Sequence, residues 1–247
     1  MNDSVQEEYL IPKQRKQQNY SLIARVIVEF LGTLTFVFFG AGTASHPKVE
    51  LTAVSAAHGV ITMILVFVFG PVSGHFNAGP TIAFGFADLF RGDEPRGRKF
   101  GEIILYLIAQ AAGAVAGGFM VLAVYNTKST LGTPSVDFEH GVTVWNGFCI
   151  ELFGTFFLML VINMVSNSKP AAASIAIGAT LFCVFLVGAP LDGAAMNPWR
   201  WLGPAMASGY FKKQQDYFWI YFAGPVLGFI AGHIFYLLLS RVLKPRY

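Results

Sequence analysis

The chain has 247 residues, of which 54% are hydrophobic, 15% are aromatic and only 13% are charged. A soluble domain carries roughly a quarter charged residues, so this composition excludes an ordinary water-soluble fold and indicates an integral membrane protein. The formal net charge of +3 is too small to suggest a nucleic-acid-binding surface, and two cysteines within apolar runs do not make a disulfide scaffold.

Eight apolar segments follow one another along the chain. Six have the roughly 20 residues needed to cross about 30 Å of hydrocarbon, and they cover residues 21–42, 51–72, 100–125, 143–165, 171–191 and 217–243. Two others, 78–90 and 198–209, are too short to cross and are predicted to be re-entrant. We therefore predict an all-α membrane protein with six transmembrane helices and two half-helices. Its channel domain spans residues 21–243, between an N-terminal tail, 1–20, and a C-terminal tail, 244–247.

The distribution of basic residues predicts the orientation, because lysine and arginine are enriched in cytoplasmic loops. With six crossings, most of the 17 fall on the side of the two termini: Lys13, Arg15, Lys16, Arg25, Arg91, Arg96, Arg98, Lys99, Lys169, Arg241, Lys244 and Arg246. Both termini are therefore predicted to be cytoplasmic. The sequence contains no recognisable address signal, so the plasma membrane and an internal vacuolar membrane both remain open.

The two halves of the chain repeat each other. Three features recur at nearly constant spacing. EFLGT at 29–33 is followed by ELFGT at 151–155, 151 − 29 = 122 residues later. Gly59 and Gly178 are 178 − 59 = 119 residues apart, and Asn77 and Asn197 are 197 − 77 = 120 residues apart. Repeat one is assigned to about 21–126 and repeat two to about 143–243. Because each repeat has three spans, the second must enter the membrane from the opposite face, as in many transport proteins.

Each short segment begins with an asparagine, a residue favoured at helix N-caps. In an inverted repeat the N-termini at Asn77 and Asn197 would meet near the bilayer midplane, each with a partial positive charge from the helix dipole. Cations and hydrated protons would be repelled there, whereas neutral molecules could pass. We also expect the two side-chain amides to be free to donate to a passing water molecule.

These features resemble the aquaporins, the major intrinsic protein family. The matching motifs are residues 29–33, 73–77 (SGHFN), 109–113 (AQAAG), 176–178 (AIG), 196–200 (MNPWR), 203–205 (GPA) and 224–225 (GP), so the resemblance covers roughly residues 20–243. It implies a homotetramer in the lipid bilayer with one pore per protomer. It also implies two constrictions, one at the paired asparagine motifs and one at an outer filter of aromatic residues and arginine.

The asparagine motifs differ from the family's Asn-Pro-Ala. The first reads Asn77-Ala78-Gly79 and the second Asn197-Pro198-Trp199. Pro80 has no N–H, so the Asn77 cap can close only onto the N–H of Gly79. We expect the bulky Trp199 to fill the space that the small Gly79 leaves beside Ala78.

By the same resemblance, the outer filter consists of His58, Phe185, Ala194 and Arg200. The position of His58 assumes that one residue is missing between Gly74 and His75. The set keeps one donor ring, one apolar ring and a cation, which suits single-file water and repels positive ions. A buried core histidine is the alternative for His58, and any pH effect on permeability is predicted to depend on it.

Two carboxylates lie within the spans, where charged residues are rare and costly. Glu29 and Glu151 are interpreted as structural supports that bind the N–H groups of the re-entrant loops, together with His75 and Gln110. The alternative is that the two glutamates carry protons or a coupling ion.

The sequence therefore predicts a passive water channel with a single-file pore that excludes ions and protons. A broader channel for glycerol, urea, ammonia or hydrogen peroxide is an alternative, although Trp201 stands where glycerol channels of the family usually have aspartate. A poorly conducting structural member and an ion-coupled transporter also remain open. The spans contain no recognisable catalytic motif, so no enzyme activity is predicted, and neither a cofactor nor a metal is expected.

Overall fold

The computed structural model describes residues 20–91, 96–126, 130–166 and 168–242. These residues form eight α-helices: α1 (Leu22–Ala44), α2 (Leu51–Phe69), α3 (Ala78–Arg91), α4 (Arg96–Tyr125), α5 (Val144–Val165), α6 (Pro170–Asp192), α7 (Pro198–Ser208) and α8 (Ile220–Val242). Six are long and apolar enough to cross a membrane, and α3 and α7 are the two short ones. The all-α prediction of six transmembrane helices and two half-helices is confirmed.

The ends of the predicted tails, 1–19 and 243–247, lie outside the described residues, so the domain boundaries stay a prediction. Within the described part, equivalent helices of the two repeats begin in the same way. Ser21 caps α1 by accepting from the N–H of Ala24, and Thr143 caps α5 by accepting from the N–H of Asn146. These caps satisfy backbone donors that the first helical turn leaves unpaired.

The helices pack in pairs that respect the repeat. Helix α1 lies against α4, α5 lies against α8 in the equivalent arrangement, and α2 and α6 join the two repeats. At this junction Gly59 and Gly178 face each other: a Cβ at Gly59 would come within 2.8 Å of the Gly178 carbonyl oxygen. Only glycine permits such a close approach of two helix backbones. The half-helices fill the remaining space, α3 against α4 and α8, and α7 mainly against α4.

The outward faces of the long helices are apolar. Large side chains exposed on them include Ile23, Ile27, Phe67, Val68, Phe153 and Val187. An apolar surface of this extent is stable only against lipid or another apolar surface. The inner faces of the same helices and the two half-helices enclose the candidate site.

Candidate pore

The two half-helices begin at capped asparagines. Asn77 Oδ1 accepts from the N–H of Gly79 at 2.9 Å, and Asn197 Oδ1 accepts from the N–H of Trp199 at 3.0 Å. The first cap closes on Gly79 as the missing N–H of Pro80 requires. Each cap fixes its asparagine at the N-terminus of a helix, the end that carries the positive part of the helix dipole.

The amide nitrogens of these asparagines are not wholly free, which corrects our expectation. Asn77 Nδ2 donates to the carbonyl of Met196 at 2.8 Å, and Asn197 Nδ2 donates to the carbonyl of Phe76 at 2.9 Å. Phe76 and Met196 adopt left-handed φ angles of 49° and 53° in their respective loops. The two hydrogen bonds from Asn77 and Asn197 join the N-termini of α3 and α7. Because an amide nitrogen carries two hydrogens, each asparagine keeps one for another acceptor.

Both asparagines border a cavity of about 100 Å³. Most of its wall is apolar, and α2, α5 and α6 contribute Leu65, Val66, Leu158, Ile162, Ile177 and Leu181 to it. Such a wall gives a passing molecule few hydrogen bonds apart from those at the asparagines. An ion would lose its hydration shell there without gaining equivalent hydrogen bonds, at a large cost in free energy. A neutral molecule would pay a much smaller desolvation cost.

Glu29 binds the first re-entrant loop. Its carboxylate accepts from the backbone N–H groups of His75, at 3.0 Å, and Phe76, at 2.7 Å, and from the hydroxyl of Ser73. Gln110 Nε2 donates both to this carboxylate, at 2.7 Å, and to the Thr81 hydroxyl, at 2.8 Å. The backbone N–H groups of this non-helical loop are therefore hydrogen-bonded within the protein, which is necessary inside a membrane because no lipid chain can accept them.

Glu151 binds the second loop in the equivalent way. It accepts from the N–H groups of Ala195, at 2.6 Å, and Met196, at 2.7 Å. In the first repeat, the His75 ring also contacts the Thr81 hydroxyl at 3.1 Å. Ala195 stands at the equivalent position of the second loop and has no ring. A further acid, Asp192, also bonds this loop through the N–H of Ala194 at 2.9 Å. Sequence reasoning missed Asp192, although it lies 192 − 73 = 119 residues after Ser73, the spacing of the repeat.

Three of the four predicted filter residues are in direct contact. Arg200 Nε donates to His58 Nε2 at 2.8 Å, and the His58 ring stacks on Phe185 with 3.9 Å between ring centroids. The other ring nitrogen of His58 contacts the Val54 carbonyl at 2.8 Å. A carbonyl only accepts, so Nδ1 carries the proton and Nε2 is the acceptor for arginine, which makes the imidazole neutral.

Arg200 is held on a second side by an oxygen that the sequence did not point to. Its guanidinium donates to the carbonyl of Gly132 at 2.7 Å. Gly132 adopts a left-handed φ of 65°, which turns the loop before α5 and favours glycine. The cation is therefore fixed by two neutral acceptors among the described residues.

The four filter side chains are tightly packed in this conformation. His58, Phe185 and Ala194 are each 0% exposed and Arg200 is 1% exposed, so almost none of their surface is open to solvent. By contrast, Asn77 retains partial exposure next to the cavity. The filter side chains are therefore less accessible than Asn77.

Comparison with known proteins now identifies the family. The sequence matches the family Major intrinsic protein over residues 16–236. The chain belongs to this family. It is 32% identical to aquaporin NIP3-1 of Arabidopsis thaliana over 238 residues, which cover 91% of this chain and 70% of that protein. It is 30% identical to aquaporin NIP1-1 of Zea mays over 237 residues, 90% of this chain and 77% of that protein.

A solved structure shares the fold. The X-ray structure of the aquaglyceroporin from Plasmodium falciparum has a TM-score of 0.72 and 22% identity, and the alignment covers 91% of this chain and 98% of that one. Major intrinsic proteins are channels rather than enzymes, so the chain is an integral membrane channel for water, small solutes or both.

The family's second motif ends here in Trp199, whose surroundings differ from our expectation. Its indole Nε1 donates to Gln110 Oε1 at 3.0 Å, and its ring meets Phe222 edge-on. The three atoms nearest to a Cβ added at Gly79 all belong to the ring of Phe229. The proposed volume exchange between Trp199 and Gly79 is therefore wrong, because Phe229 occupies the space that the glycine leaves.

Replacing Gly79 by leucine is expected to lower the yield of folded protein strongly. The new side chain would overlap the ring of Phe229, and overpacking of this kind costs about 1–3 kcal/mol or more. The yield of monodisperse protein in detergent measures the effect, with Gly101→Leu as the matched control because nothing lies near a Cβ there. Adding Phe229→Ala should restore the yield. Rescue by Trp199→Ala instead would contradict this packing.

Proposed function

We propose that the chain is a passive water channel whose single-file pore excludes ions and protons. The observation that carries this proposal is the meeting of two helix N-termini at Asn77 and Asn197, which border one apolar cavity. Each asparagine amide donates to a backbone carbonyl of the opposite loop. Their dipoles place partial positive charge at the same point of the path, which disfavours cations. The asparagine amides offer donors to the oxygen of a neutral molecule.

The proposed filter consists of His58, Phe185, Ala194 and Arg200. Its arginine adds a full positive charge to the path, and its histidine is a small polar group beside an apolar ring. Because the His58 ring contacts both Phe185 and Arg200, we expect it to move away from Phe185 during conduction. We therefore infer a channel that opens and closes at its outer filter.

A wider selectivity is the second candidate. Ala194 is the smallest of the four filter residues, so an opened filter has room beside Phe185 for a small neutral solute such as glycerol, urea, ammonia or hydrogen peroxide. The fold that the chain shares with the aquaglyceroporin from Plasmodium falciparum supports this alternative. Against it stand the bulky rings of Trp199 and Trp201 around the second half-helix.

We further propose a homotetramer with one pore per protomer and with both termini cytoplasmic, in the plasma membrane or a vacuolar membrane. The apolar faces exposed on α1, α2, α5 and α6 leave surface both for lipid and for neighbouring protomers. The excess of lysine and arginine on the side of the termini supports the orientation.

Stopped-flow light scattering of proteoliposomes tests the proposal. We expect osmotic shrinkage several times faster than in empty liposomes, without glycerol-driven reswelling and without proton entry reported by an internal pH dye. Ala194→Trp should abolish the fast shrinkage by filling the filter, whereas Ala172→Trp, on an exposed position of α6, should not. Glycerol reswelling would favour the wider channel. Shrinkage that depends on an imposed proton or sodium gradient would contradict a passive pore.

A further inference from the structure

The two repeats bind their re-entrant loops with one chemical difference. In the first repeat, the Ser73 hydroxyl donates to Glu29. In the second, the residue at the same repeat spacing is Asp192, beside Glu151. A serine hydroxyl always has a hydrogen to donate, whereas an aspartate has one only when it is protonated.

The hydrogen bonds around this acid pair leave one oxygen without a donor. Both oxygens of Glu151 accept backbone N–H groups, and Asp192 Oδ1 accepts from Ala194. Asp192 Oδ2 is buried and has no donor in the described part of the chain. The two carboxyl groups lie within hydrogen-bonding contact of each other, and both residues are 0% exposed.

The surrounding charges do not compensate two carboxylates. Arg200 of α7 acts electrostatically on Glu151, but its guanidinium donates to His58 and Gly132. From α8, the Tyr221 hydroxyl donates to the backbone carbonyl of Asp192 and not to its side chain. Tyr217, the next ionisable group on that side, contacts Ser135. Two buried like charges in contact repel strongly in a low dielectric, so one of them must carry a proton.

We propose that Asp192 Oδ2 carries this proton and donates a hydrogen bond to Glu151. This bond takes the place of the one that the Ser73 hydroxyl donates to Glu29 in the first repeat. Asp192 is then a positioning residue for the second loop. The bond helps to hold residues 193–196, three of which adopt left-handed φ angles: Gly193 at 83°, Ala194 at 47° and Met196 at 53°. The non-glycine members of such a set are strained and persist only where other contacts hold them.

The loop carries the filter residue Ala194 and leads directly into Asn197 and Arg200. Loss of the shared proton would place two charged carboxylates against each other and push the loop away from Glu151. Alkaline conditions should therefore weaken the fold and lower the permeability together. The effect on permeability rests on the proposed channel function, whereas the protonation and its effect on stability do not.

Infrared spectroscopy of the purified protein detects the proton without any transport assay. At neutral pH, we expect the carbonyl band of a protonated carboxylic acid, shifted by ¹³C-aspartate labelling and lost in Asp192→Asn. Asp216→Asn, at an exposed position, should keep the band. A spectrum without a labelled aspartic acid band, or a band unchanged in Asp192→Asn, would overturn the proposal.

The pH profile of thermal stability is the second test. Because the folded protein holds a proton that the unfolded chain gives up at neutral pH, the wild-type midpoint should fall as the pH rises. Asp192→Asn keeps the acceptor for Ala194 and provides a permanent N–H donor, so its midpoint should fall less on the alkaline side. Asp192→Ser, which copies the first repeat, should also fall less. Parallel profiles for all three proteins would overturn the proposal, even if every one of them conducts water.

Discussion

Replacement of His58 by alanine is expected to raise the osmotic water permeability of proteoliposomes severalfold. We expect the imidazole to limit the flow, because it lies between the Phe185 ring and the Arg200 guanidinium. Alanine removes both contacts and leaves a space in the filter. Arg200 should stay in place, since its guanidinium also donates to the Gly132 carbonyl. Stopped-flow shrinkage at neutral pH measures the change.

The same residue gives the wild-type channel an expected response to acid. Protonation of His58 Nε2 would turn the acceptor of the Arg200 hydrogen bond into a donor and place two positive groups against each other. The ring would then leave its position between Phe185 and Arg200, so protonation of the ring in acid should raise the permeability. The other groups that touch the ring, Phe36, Phe185 and the Val54 carbonyl, do not titrate.

Two variants separate this gate from other effects of histidine loss. His46→Ala changes an exposed histidine and should keep the permeability and acid response of the wild type. His58→Ala should be fast at neutral pH and show no further rise in acid. An acid response that persists unchanged in His58→Ala would place the sensor elsewhere. Permeability equal to the wild type would show that the His58–Phe185 contact does not limit flow.

The fold could be predicted because its signals are local. A span of about 20 apolar residues is recognisable by length alone, and the asparagines at 77 and 197 mark helix starts through their own chemistry. The nearly equal spacing of these asparagines and of the EFLGT and ELFGT motifs predicted the inverted repeat. Each of these inferences needs only residues that are close in sequence or related by one constant offset.

Parts of the site could not be predicted because they depend on contacts between distant segments. Nothing near Gly79 in sequence indicates that Phe229 fills its space, and nothing near Arg200 indicates the Gly132 carbonyl. The position of Asp192 was readable from the repeat spacing. Its proposed role was not, because that role depends on the neighbouring carboxyl of Glu151 and on the lack of a donor to Asp192 Oδ2 within the described segments.

Glu29→Ala should give the largest loss of folded protein among single substitutions in the pore. The carboxylate is 0% exposed and accepts from two backbone N–H groups, from Ser73 and from Gln110. Alanine would leave these donors buried without a partner, at about 1–3 kcal/mol each. The sum is comparable with the whole stability of a typical domain, about 5–15 kcal/mol. Size-exclusion chromatography of detergent extracts should therefore show mostly aggregate.

A graded series distinguishes this supporting role from ion coupling. Glu29→Gln keeps one acceptor oxygen for the loop, so it should recover part of the folded protein, and that fraction should conduct water at the wild-type rate per channel. Glu139→Ala removes an exposed carboxylate and should leave the yield unchanged. If Glu29 instead carried a coupling ion or proton, Glu29→Gln would fold well and lose transport. That outcome would require a transporter mechanism, because a passive pore needs the charge of Glu29 only to hold the loop that presents Asn77.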